Sequence, residues 1–140
     1  MRNKAPLSLM ELLCMLLVFA LSAALCLQVF ALSARVSRKI EAQGQAVNNV
    51  QNTAELVKYC RADVSQYPKL LGGEGDAGLW RIGYDDSWQK ISPDEASYII
   101  SVTPVSCDLE GLGKADISAV SAKGEELFAL SVSWQEVDRG

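Results

Sequence analysis

Hydrophobic and polar positions follow one another along this chain in three distinct patterns. The first, residues 6 to 30, reads PLSLMELLCMLLVFALSAALCLQVF and is almost uninterrupted apolar, with a single carboxylate, Glu11, just inside its entrance. No side chain from Leu12 to Ala34 is charged. As a helix, positions 12 to 32 alone span about 31 Å, close to the hydrocarbon thickness of a bilayer. One membrane-crossing segment fits here.

The second pattern is a stripe. Val36, Ile40, Val47, Val50, Ala54 and Val57 recur at spacings of three, four and seven, the signature of a helix buried along one side. Gln43 and Gly44 interrupt it. Between Pro6 and Pro68 there is no proline and one glycine, Gly44, so nothing forces a helix to stop where the apolar run ends. The spacing therefore predicts one continuous helix from about Leu9 to about Val64, roughly 84 Å long.

The third pattern alternates. LGGEGDAG (71 to 78) reads as a loop, after which Trp80, Ile82 and Tyr84 alternate with polar or small residues. SYIISVTPVSC (97 to 107) is rich in β-branched and aromatic residues, and Pro104 within it predicts an edge position, a bulge or a break. KADISAVSA and LFALSVSWQEV flank a turn around Lys123 and Gly124. In the last segment Phe128, Leu130, Val132 and Trp134 share one face, and Ala129, Ser131 and Ser133 share the other. The predicted class is α+β: a long N-terminal helix, membrane-spanning in its first half, packed on a small antiparallel sheet that needs the helix to cover its apolar face. The expected segments are 1–7 before the membrane, 8–34 across it, 35–70 continuing the helix outside, and 71–140 as the sheet with its loops.

Charge refines the picture. The chain of 140 residues has a formal net charge of -4, and residues 65 to 140 carry six basic against thirteen acidic side chains. Direct nucleic-acid binding depends on clustered Lys and Arg, so that domain is not expected to do it. Arg2 and Lys4 precede the apolar run while Arg35, Arg38 and Lys39 follow it, which leaves orientation open. Cys14 and Cys26 fall inside the apolar run and read as small hydrophobes. Cys60 and Cys107 are either two separate buried thiols or, outside the cytoplasm, a disulfide closing a loop of 46 residues.

Glu11 has a local reading. Ser8-Leu-Met-Glu11 matches the S-x-x-E capping box, with Ser8 as N-cap, Glu11 reaching back to it, and Leu7 and Leu12 at the staple positions. On that reading the acid starts a helix and has no further task.

PLSLMELL followed by the apolar run also resembles the N-terminus of type IV pilins and pseudopilins, whose signature is Gly, then Phe-Thr-Leu-Ile-Glu-Leu or similar. Aligned on the glutamate, Leu7 takes the place of the first mature residue and Glu11 that of the fifth. Pro6 stands where the family has its cleavage glycine. The resemblance implies a structural, non-enzymatic subunit of a type IV pilus, type II secretion or DNA-uptake machine. It further implies partners: the bilayer, other pilin-like subunits and a membrane platform protein, with Pro6 leaving two alternatives, a chain that is never processed or one cut between Pro6 and Leu7 by an unusual prepilin peptidase. Glu11 would set axial register against a neighbour's N-terminus. The N-terminus would be cytoplasmic and residues 35 to 140 extracytoplasmic, in a bacterial cytoplasmic membrane, which favours a Cys60–Cys107 disulfide. Ala20 and Ala24 offer a small-xxx-small spacing for close helix contact, with Gln28 one turn on.

No cofactor or metal is expected, and no enzyme. The chain has no histidine, so no Ser-His or Cys-His pair exists. The paired acids Asp85-Asp86 and Asp94-Glu95 read as solvated loop residues, and the glycines of 71 to 78 lack the Lys-Ser/Thr of a phosphate loop. Trp80 and Trp134 are expected in the core, with Trp88 the exposed one. Two rivals stand beside the filament reading: a single-pass anchored binding domain that does not polymerise, and a secreted protein cleaved near ALSA (31 to 34).

Overall fold

The computed structural model describes residues 5 to 136. Its first element, α1, runs without a break from Ala5 to Tyr59. Two compact units divide within it, at Ile40 and Glu41.

In the first unit the helix is apolar and bare. Leu7 to Leu32 present large hydrophobic side chains 59% to 77% exposed, among them Phe19 and Phe30 at 74%. The helix is long and apolar enough to cross a membrane. Val36 and Ile40, which begin the predicted stripe, are also exposed, at 47% and 62%.

The second unit combines the rest of α1 with the sheet. Burial on the helix starts at Ala46 and continues through Val50, Thr53, Ala54, Val57 and Cys60. The stripe is thus real from residue 46 onward and narrower than expected, with Val47 only half-buried. Thr53 is the one polar member, and its hydroxyl donates to the Asn49 carbonyl at 2.8 Å, so its burial costs no hydrogen bond.

The helix ends earlier than the pattern predicts, at Tyr59 and not near Val64. The stop is a Schellman motif: the Ala62 N–H donates to the Val57 carbonyl at 3.0 Å and the Arg61 N–H to the Lys58 carbonyl at 3.2 Å. Arg61 (φ 51°) and Ala62 (φ 57°) both occupy the left-handed region that glycine normally fills. A motif without its glycine leaves no trace in composition. Asp63 then caps a short 3-10 turn, accepting from the Ser65 N–H at 3.1 Å. The short α2 (Tyr67–Leu70) follows, with Pro68 in its first turn.

Six antiparallel strands follow: β1 (Glu74–Gly75), β2 (Trp80–Tyr84), β3 (Lys90–Ile91), β4 (Tyr98–Val105), β5 (Leu112–Ser121) and β6 (Glu126–Gln135). Their order is β1-β2-β4-β5-β6, with β3 also paired to β2. β1 lies inside the stretch expected to be wholly loop. Pro104 takes the edge solution: it pairs with Ala115 of β5, while the β2 pairing of the same strand ends at Val102. A missing N–H costs little where no strand lies alongside.

Ile82, Ile100, Val102, Ala115, Ile117 and Ala119 form the floor of the core, each at most 1% exposed. Trp80 and Trp134 are buried as expected. Trp88 is half-buried, its ring stacked on Tyr98 at 4.4 Å between centroids. The segment around α2 is held to the sheet by polar contacts: Trp80 Nε1 donates to the Gly72 carbonyl and Lys90 Nζ to the Leu71 carbonyl, both at 2.8 Å.

Tyr67, 3% exposed, meets Trp80 edge-on at 5.5 Å. Burial, reinforced by the negative forms of Cys60 and Asp63, pushes its phenol up to about 12. In the unfolded chain it titrates near 10. The native state therefore holds the proton longer, so this contribution is intact below pH 10 and is lost between pH 10 and 12, by roughly 2 to 3 kcal/mol. Burial raises the Tyr84 phenol in the same direction. Urea unfolding in detergent at pH 9 and pH 11.5 is expected to show the loss, and Tyr67→Phe to reduce it. Equal alkaline sensitivity in the variant would refute the assignment.

Candidate assembly segment

The head of α1 differs from its capping-box reading. The helix already includes Ala5, with Pro6 in its first turn, where a missing N–H removes nothing. Ser8 and Glu11 are consequently both inside the helix, and Ser8 cannot be its N-cap. The four residues S-x-x-E match a motif whose geometry the chain does not use, because Ala5, Pro6 and Leu7 are already helical.

The correction leaves Glu11 without a capping role toward Ser8. Among the described residues it has no hydrogen-bond or ion-pair partner, and it lies on an exposed face shared with Cys14, Met15, Val18, Phe19 and Ser22. At about 100° per residue, Ser8, Glu11, Cys14, Ser22, Cys26 and Ser33 fall within an arc of about 120°. Leu7, Met15, Val18, Leu25, Val29 and Leu32 fall in the same arc, so the face around the acid is mixed. Ala20 and Ala24 lie on the opposite side of the helix from Glu11, so the small-xxx-small spacing and the face of the acid are separate. Ser22 satisfies itself by donating to the Val18 carbonyl at 2.9 Å. A carboxylate has no such internal recourse on a helix.

Pro6 and Leu7, the expected processing position, are both exposed in the first turns, Leu7 at 77%. Cys60 and Cys107 are both free thiols, so the structure does not join them. Cys60 closes the core at the C-terminus of α1, with its Sγ 3.6 Å from the Val57 carbonyl, and burial pushes its thiol up. That is the behaviour of a small buried hydrophobe. Cys107 lies half-buried in the loop after β4.

The paired acids occupy turns. Asp85 Oδ1 accepts from the Ser87 and Gln89 N–H groups at 2.9 Å each and fixes the turn that carries Trp88. Asp94 and Glu95 lie in a 3-10 turn opened by Pro93. Asp76, unremarked by any motif, accepts from the Gly78 and Leu79 N–H groups, which hold its carboxyl below the usual range.

No protein-family model, curated protein or solved structure matches the chain.

Proposed function

We propose that the protein is a pilin-like structural subunit: a membrane-stored monomer whose α1 packs against the helices of neighbouring subunits, with Glu11 as the group that sets their axial register. The observation carrying this reading is the placement of Glu11 inside α1, past its start, on an apolar and otherwise bare helix. A carboxylate there is a cost that no cap offsets, and it is relieved when a cationic group from another chain meets it at one particular axial offset. The architecture supports the same reading, since a single helix supplies both the lipid-compatible segment and the cover of an antiparallel sheet.

On this reading the first 34 residues lie in and before the bacterial cytoplasmic membrane, the N-terminus is cytoplasmic, and the sheet supplies lateral contacts outside. Leu7 is the mature N-terminus, exposed by a peptidase that accepts Pro6 in place of glycine. The test is the intact mass and N-terminal residue of the chain extracted from native membranes. A chain beginning at Leu7, carrying a methyl group on its amine, is the expected result. A chain beginning at Met1 or Arg2 would take the peptidase out of the reading and favour the plain single-pass anchor.

A further inference from the structure

The two edges of the sheet are built differently. On the β2 side, the short strands β1 and β3 occupy the edge with two residues each, and Arg81 and Glu74 pair across it at 3.8 Å. Such short, charged edges resist pairing with further strands. The β6 side has none of these devices. β6 runs ten residues, Glu126 to Gln135, and is paired to β5 along its length with one irregularity, at Ala119 and Val120. From Phe128 to Gln135 the strand holds no charge, no proline and no glycine. Among the described residues no strand pairs with its outer side.

The core also stops short at this edge. On β5 the inward residues Ala115, Ile117 and Ala119 are 0% or 1% exposed. Their partners across the ladder, Val132, Leu130 and Phe128, are only half-buried. An apolar shelf therefore continues to the last strand and is left incompletely covered beside a row of unpaired backbone groups.

We propose that the open edge of β6 pairs antiparallel with β6 of a second copy of this chain, extending two sheets into one. A strand is the occupant because only a strand satisfies the free N–H and C=O groups while continuing the apolar shelf. A second copy is the occupant because the sequence is self-complementary in antiparallel pairing. Centred on Leu130, the pairing sets Phe128 opposite Val132 of the second copy and Ala129 opposite its Ser131. Centred on Ser131, it sets Leu130 opposite Val132 and Ala129 opposite Ser133. Between Phe128 and Ser133 both registers place apolar with apolar on one face and small with small on the other; the Leu130-centred register opposes no two charges, whereas the Ser131-centred one sets Glu126 opposite Glu136 just past the strand end and is the weaker of the two. Confinement of the copies to one membrane would raise their effective concentration and favour so small an interface. The pairing does not depend on Glu11.

The experiment uses the full chain in liposomes, with Cys14, Cys26, Cys60 and Cys107 replaced by alanine and Ala129→Cys and Ser131→Cys introduced together, which covers both registers. Mild oxidation is expected to give a covalent dimer at least tenfold faster than the same background carrying Thr103→Cys, an exposed position on β4. Adding Glu11→Ala should leave that rate unchanged, which separates failure here from failure of the assembly reading. Equal rates at both positions, or no dimer from β6, would overturn the proposal. Hydrogen exchange on the unaltered chain guards against misfolded variants: β6 amides should become protected as the protein-to-lipid ratio rises, and Ala129→Lys with Ser131→Lys should abolish that dependence. Exchange independent of the ratio in the unaltered chain would also overturn it.

Discussion

On the proposed reading, Glu11→Ala is expected to leave the chain in the membrane and remove it from assembly through α1. The two halves of that expectation have different physical origins. Insertion is driven by the uncharged run from Leu12 to Ala34, which the substitution does not touch, and deletion of a carboxylate from an apolar helix makes insertion easier if it changes it at all. On the proposed reading, assembly through α1 depends on a pair. Removing one member of a desolvated ion pair leaves the other uncompensated, at a cost of about 3 to 5 kcal/mol. At about 1.4 kcal/mol per tenfold, co-assembly should fall a hundredfold or more. Glu11→Gln keeps the shape and loses the charge, so it should fall nearly as far, whereas an effect of bulk alone would spare it. The measurement, made in chains carrying Ala129→Lys and Ser131→Lys so that β6 pairing does not contribute, is the fraction of tagged variant recovered with subunits that keep Glu11 after crosslinking and membrane solubilisation, beside its resistance to carbonate extraction. Co-recovery equal to that of the unaltered chain would remove Glu11 from the assembly mechanism and leave a simple anchor.

Much of the architecture was legible in the sequence because it follows from periods. The lack of proline over residues 7 to 67 allowed one long helix, and α1 is one helix from Ala5 to Tyr59. Period-two alternation placed Trp80, Ile82 and Tyr84 inward, and all three are buried. The turn around Lys123 and Gly124 forms where expected, with the Gly124 N–H donating to the Ser121 carbonyl at 2.9 Å and Gly124 at φ 84°.

What the sequence did not show depends on single residues acting against their usual preferences. Arg61 and Ala62 end α1 in left-handed conformations that glycine would have advertised. S-x-x-E at 8 to 11 is a capping signature that the helix overruns, because Ala5, Pro6 and Leu7 are already part of it. β1 is two residues long and too short for any alternation to register. The candidate segment shows the same division. Residue types located Glu11, but only the helix start reveals that it has no cap to make.

Gly113→Ala should destabilise the sheet unit, and the effect should vanish when Trp134 is removed. Gly113 is paired with Trp134 across the β5–β6 ladder. A Cβ built on it would lie 2.3 Å from Trp134 Cε2, 2.4 Å from Nε1 and 2.6 Å from Cζ2. Those atoms belong to the body of an indole that is 9% exposed, so the ring cannot yield by bending a flexible tip. Among the described residues its Nε1 has no hydrogen-bond partner, so contact with the glycine backbone, and not polar pairing, holds it there. Overpacking of this kind costs about 1 to 3 kcal/mol, and swinging the ring off the shelf would forfeit part of its burial as well. Trp134→Ala alone should cost about 3 to 5 kcal/mol. In that background the clash is gone, and Gly113→Ala should be neutral or stabilising by roughly 0.5 kcal/mol, as alanine is elsewhere in a strand. Chemical unfolding of the four chains in detergent reads the coupling directly. A Gly113→Ala cost of equal size with and without the tryptophan would mean that the glycine is required for its backbone and not for the ring above it.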